Sequence, residues 1–159
     1  SYEVSARVKA TGSGGVSAML KLAQGVGLVG ALDREVQVFR RHLPYHESDH
    51  VMSIALNVLA GGTSLEDLEL RRADEAYLEG LGAERIPDPT TARDFVHRFK
   101  SEEQVLALLE GINSVRGRLW EKLSRQERRR AILNADGVMA ATTGNCKEGM
   151  AMSYKGEWG

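Results

Sequence analysis

From Val16 to Leu123 almost everything reads as helix, and from residue 48 onward helix starts and helix stops alternate closely, so that stretch has room for several short helices and little else. Ser48 is placed to cap a helix in which Val51, Ile54, Ala55, Val58 and Leu59 keep helical spacing. Gly61 and Gly62 end it. Thr63 and Glu66 fit a T-x-x-E capping box, so a new helix starts at once. Gly80, Gly82, Pro87 and Pro89 break the chain again. Asp88 then caps a helix with Pro89 at its first position, and Ala92, Phe95, Val96 and Phe99 form its apolar stripe. Ser101 and Gln104 fit a second capping box. It opens a long helix with Val105, Leu108, Leu109, Ile112, Val115 and Leu119 on one face. Upstream, Tyr2, Val4, Ala6 and Val8 alternate weakly, as in a short strand, and TGSGG at 11–15 is a flexible break.

The pattern changes after the basic run at 125–130. Residues 131–135 are small or apolar apart from Asn134, as in a strand buried on both faces. Residues 147–159 alternate strictly, with Met150, Met152, Tyr154 and Trp158 on one side, as in a half-buried strand. Thr142, Thr143, Gly144 and Asn145 are turn-formers between the two. The expectation is a β-hairpin appended to a helical domain. A lone hairpin is only marginally stable in water, so this one reads as the beginning of a sheet domain.

Composition limits the function classes. The 159 residues suit one domain, or one plus a fragment of a second, and the 42% apolar fraction supports a real core. With a net charge of −1 the molecule as a whole has no field that attracts nucleic acid or an acidic membrane, so a DNA contact needs a local patch. One cysteine, Cys146, excludes an internal disulfide framework and all-cysteine metal sites. The longest mostly apolar stretch, 51–60, is too short to span a bilayer, and the N-terminus has no signal pattern. The expectation is a soluble, cytoplasmic protein.

Several residues carry candidate chemistry. Asp136 ends the first strand, with Gly137 after it; it reads either as a turn residue or as a ligand for a divalent cation. A phosphoryl-transfer metal site needs two or three carboxylates, and nothing near Asp136 supplies the rest. The stretch LNADG is similar to the D-x-D-G signature of haloacid-dehalogenase-type phosphatases, but Asn134 stands where their nucleophile is needed. His42, His46 and His50 are spaced four apart, yet Pro44 interrupts them, so a helix corner with exposed histidines is expected rather than a shared metal. IPDPTTARDFVHRF, residues 86–99, gives a proline-defined turn and a capped helix that leaves Thr90, Arg93, Asp94 and His97 outward. Such helices present hydroxyls and arginines to DNA phosphates; the alternative is an ordinary surface helix, for which Asp94 argues. Arg125, Arg128, Arg129 and Arg130 are the densest positive cluster and read equally as a DNA approach or as a solvated helix end.

Taken in order, LAGGTSLEDLELRRADEAYL, IPDPTTARDF and the ADG…TTG…YKGEWG hairpin resemble the N-terminal part of DDE-type insertion-sequence transposases, more narrowly the "thirteen-eighty" group. The resemblance covers roughly residues 15–159. It implies a mainly α chain: a multi-helix N-terminal domain at 1–128 that engages terminal inverted repeats and helps self-association, then at 129–159 the first β-hairpin of a truncated RNase H-like α/β domain. It implies double-stranded DNA at transposon ends as the partner, for which the helix at 86–99 and the basic run offer Thr90, Thr91, Arg93, Arg98, Arg128, Arg129 and Arg130 as candidate contacts. It also implies two Mg²⁺ ions bound by an Asp-Asp-Glu triad, and Asp136 matches the first Asp. Many relatives carry an acid where this chain has Asn134. The other two carboxylates lie downstream in the family, so this polypeptide is expected to bind Mg²⁺ poorly and not to cut DNA. The alternative is a non-catalytic DNA-binding or inhibitor protein derived from a truncated transposase.

Overall fold

A computed structural model describes residues 9–41, 44–130, 132, 134–135 and 150–158. The chain divides into two compact units, Ser1–Leu123 and Ser124–Gly159. The first is mainly helical. Its α-helices are α1 (Val16–Gly25), α2 (Leu28–Glu35), α3 (Glu47–Leu59), α4 (Leu68–Ala73), α5 (Glu75–Leu81), α6 (Pro89–Val96) and α7 (Glu102–Glu121). A 3-10 turn, Leu65–Asp67, leads into α4. Among the described residues no single helix is long and apolar enough to cross a membrane. The pair α1 and α2 reaches the needed length and composition only together, and it is bent by 66°.

Local sequence accounts for most of the boundaries. The Asp74 carboxylate accepts from the Tyr77 N–H at 2.9 Å and starts α5. Asp88 does the same for α6, with Pro89 in the first turn. The capping box expected at Thr63 and Glu66 forms one residue later. Asp67 accepts from the backbone N–H groups of Ser64 at 2.9 Å and Thr63 at 2.8 Å, which leaves Glu66 free to pair with Arg93. Ser101 does precede α7, but it makes no side-chain cap; Gln104 instead accepts from the Lys100 N–H at 2.6 Å.

The main core joins Val16 of α1, Leu56 of α3, Leu68 of α4, Tyr77 of α5 and Ala92 of α6, with Ile86 from the turn before α6. Each fully buried Leu contributes about 1.5–3 kcal/mol. A second contact layer lies between α2 and α7, the most extensive helix pair. There Ala31 and Leu32 are fully buried, and Gly111 lets the α7 backbone approach the Ala31 carbonyl. The buried line of α7 therefore runs through Gly111 and Val115. Val105, Leu109 and Leu119, expected on the inner face, are exposed, because the small residue rather than the large ones sets the approach.

Helix α3 departs most from its hydrophobic pattern. Val58 and Leu59 are 62% and 58% exposed, whereas Glu47, Ser48, His50, Ser53 and Asn57 are buried. The buried polar groups satisfy backbone that would otherwise be orphaned. Glu47 accepts from the N–H groups of Val38 at 3.2 Å and Phe39 at 2.9 Å. Asn57 donates to the Ser64 carbonyl at 2.9 Å, and Arg71 donates to the Ala60 carbonyl at 2.8 Å beyond the helix end. The helix starts at Glu47 with His46 as its cap, not at Ser48, because Asp49 reaches back to the His46 N–H at 2.8 Å.

In the second unit, a 3-10 turn at Glu127–Arg129 is held by Ser124 and Glu127, which exchange side-chain-to-backbone hydrogen bonds at 2.8 and 3.3 Å. Ile132, 80% exposed, and Asn134 and Ala135, also exposed, form no ladder, so the described part of the expected buried strand is not buried. Residues 150–158 do not run as one strand. They double back, with Met152 bridging Trp158 in antiparallel fashion and the Ser153 N–H bonding the Glu157 carbonyl at 2.8 Å. Gly156 at φ 78° makes the reversal, and Tyr154 is left 94% exposed. The expected strand at 1–10 and the turn at 142–145 lie in or largely in the undescribed segments, and the hairpin joining 131–135 to 147–159 passes through residues outside the described set.

Candidate nucleic-acid interface

Helix α6 is positioned from both ends. Pro87 is fully buried, Asp88 takes an extended backbone, and Pro89 fixes the first helical φ. One Asp88 carboxylate oxygen accepts from the Thr91 N–H at 2.9 Å and the other from the Thr91 hydroxyl at 2.7 Å. Those two donors hold the Asp88 carboxyl below the usual carboxylate range, the backbone N–H being the larger cause. Ala92 and Phe95 are buried and anchor the helix. Thr90, Arg93, Asp94 and His97 are exposed.

The candidate contact residues are not equivalent. Thr90 is exposed, while the Thr91 hydroxyl is engaged by Asp88. Arg93 donates to Glu66 in the turn before α4. That ion pair is exposed on both sides, and such pairs contribute about 0–1 kcal/mol, so a phosphate can displace Glu66 at little cost. Arg98 lies over the Phe39 ring, 5.0 Å from its centroid. Thr90, Thr91, Arg93 and Arg98 thus belong to one helix and the turn that follows it. Arg128, Arg129 and Arg130 are exposed and belong to the second unit. Asp136, the expected Mg²⁺ ligand, lies outside the described residues.

Beside α6 is a feature that no sequence pattern announced. His50, expected at an exposed corner, is 2% exposed. Its ring stacks on Phe95 at 4.6 Å and 11°, with Phe39 at 5.2 Å and Tyr45 edge-on at 5.7 Å. Burial lowers the His50 pKa, against the opposing pull of Asp49 and Glu47. Its Nδ1 is buried without a hydrogen-bond partner. The only hint in the sequence was Phe39, Tyr45, His50 and Phe95 as scattered aromatic residues, with nothing to bring them together.

A second grouping joins Asp33, His46 and Glu47, whose ligand atoms lie within 4.8 Å of one another. Asp33 accepts from the Ser48 N–H at 3.0 Å, and Glu47 accepts from the loop at 38–39. These bonds tie α2, the following loop and the start of α3 together, which is a sufficient structural role for the cluster. His42 lies outside the described residues, so the three histidines are not seen as a set.

No family model, curated protein or solved structure matches the chain.

Proposed function

We propose that the helical unit is the DNA-end-binding region of a DDE-type transposase, with α6 laid against duplex DNA. The observation that carries the reading is the capped, proline-started α6, whose first turns leave Thr90 and Arg93 exposed while Ala92 and Phe95 anchor it. Hydroxyl and arginine side chains on phosphates fix register on a duplex. Arg98 extends the positive edge past the helix end. Arg128, Arg129 and Arg130 are a second basic contact in this reading. Strand cleavage and transfer, Mg²⁺ and the role of Asp136 as its ligand belong to the same proposal and rest on the sequence resemblance. So does self-association.

Selection of the full chain against a random duplex pool at low salt tests the reading. Enrichment of one sequence that recurs, inverted, at both ends of the element encoding the chain is the expected result. No sequence enriched over background, with no duplex retained at low salt, refutes it.

A further inference from the structure

The cleft between the loop after α2 and helix α6 has the chemistry of a binding site. Phe39, Tyr45, His50 and Phe95 form its walls, and its volume is about 210 Å³. Pockets for drug-sized ligands run to about 300–1,000 Å³, so this one has room for a single ring system. Arg41 and Arg98 stand at its rim, as does the exposed carboxylate of Asp94.

We infer that this cleft binds one unstacked nucleobase, with the attached phosphate on Arg98 and Arg41. Two separate properties of the cleft converge on that ligand. His50 and Phe95 are buried and stacked on each other, but Phe39 and Tyr45 are only half-buried, and a base gains by stacking on such rings whatever its identity. The arginines supply the anion contact, since a guanidinium binds phosphate in a fixed fork. Asp94 adds a preference. A carboxylate accepts from an exocyclic amino group, so cytosine and adenine are favoured over thymine. Arg98 already covers Phe39 at 5.0 Å, so a base entering beside Phe39 brings its phosphate to a guanidinium that is in place.

The inference rests on the DNA-binding reading only for the source of the nucleotide. A base turned out of a DNA strand and a free mononucleotide present the same ring and phosphate. Three probes separate these sources: deoxyadenosine monophosphate, a labelled single strand, and an abasic strand of equal length that keeps the phosphates and lacks the bases. Binding of the strands to the full chain is read by fluorescence anisotropy. Binding of the mononucleotide is read from the ring resonances of His50 and Tyr45.

The wild type is expected to bind the single strand about five- to a hundredfold more tightly than the abasic strand, the value of one stacked base. Phe39→Ala and Tyr45→Ala should each reduce that ratio; duplex affinity should stay within about twofold in Tyr45→Ala, whereas Phe39→Ala also removes the ring under Arg98 and is read by the ratio alone. If either variant loses its helical circular dichroism, the wild-type comparison of the two strands decides. Equal affinity for the two strands, with no shift of His50 by the mononucleotide, overturns the pocket and leaves the duplex reading intact. Mononucleotide binding that Phe39→Ala abolishes, in a chain that binds no DNA, upholds the pocket as a free-nucleotide site and refutes the duplex reading.

Discussion

Replacing Asp88 with Ala removes two acceptors at once from the start of α6. The Thr91 N–H loses its partner at 2.9 Å and the Thr91 hydroxyl loses its partner at 2.7 Å. Loss of a side-chain N-cap costs about 0.5–2 kcal/mol, typically about 1. Asp88 is half-buried, and its two hydrogen bonds to Thr91 are the interactions that the substitution removes. Ala92 and Phe95 still anchor the helix, so the unit remains folded and loses about 1 kcal/mol. Urea denaturation followed by circular dichroism measures the loss at neutral pH. Asp88→Asn keeps an oxygen acceptor at the cap and should recover most of it.

The pH dependence has a defined sign. The native carboxyl titrates below its unfolded value of about 3.9, so its contribution is complete above that value. It fades as pH falls through the lower native value. The gap between wild type and Asp88→Ala should therefore narrow in acid. An Asp88→Ala protein within about 0.3 kcal/mol of wild type at neutral pH would refute the assignment of Asp88 as the determinant of α6.

Other substitutions probe the packing and the buried imidazole. A Cβ built on Gly111 sits 3.5 Å from the Ala31 carbonyl oxygen and 3.6 Å from Leu32, ordinary contact distances. Gly111→Ala should therefore stabilise by up to about 1 kcal/mol through helix propensity, while Gly111→Leu should destabilise by about 1–3 kcal/mol by forcing α7 from α2; thermal melts distinguish the two. His50 is held neutral by burial, so its native pKa lies below the unfolded value of about 6.5. In the window between those values the unfolded chain binds more protons. Stability should be independent of this group above about pH 6.5 and fall as pH drops through the window. His50→Phe should flatten that slope in denaturation curves taken across the range; an unchanged slope would assign it to other groups.

Helix α6 was legible because its signals are local. Asp88, Pro89 and Thr91 lie within four residues, and their geometry follows from cap and φ preferences alone. The capping box before α4 was legible to within one residue, since Thr63–Glu66 and Ser64–Asp67 fit similar templates; the box that forms opens the 3-10 turn at Leu65–Asp67, and α4 follows it. Helix α3 was found but turned over. Its apolar spacing is real, yet Glu47 and Asn57 bond to backbone at 38–39 and at Ser64, and no periodicity records a tertiary hydrogen bond. For the same reason His50 and Phe95, 45 positions apart in the chain, gave no sign of their stacking. The inner line of α7 was legible in part: Val115 is buried and Leu108 and Ile112 are half-buried as their spacing suggests, while the other buried position, Gly111 against α2, is invisible to a hydrophobic pattern. In the second unit, alternation at 150–158 suggested a strand, and Gly156 turned it back on itself.

Salt dependence of duplex binding by the wild type and by the Arg93→Ala, Arg98→Ala double variant tests the role of α6 most directly. Each phosphate contact contributes about −0.9 to the slope of log K against log salt. The account predicts tight binding at low salt and a slope shallower by about 2 in the double variant, with stability unchanged. A chain that binds no duplex at low salt, or a double variant whose slope matches the wild type, would contradict it.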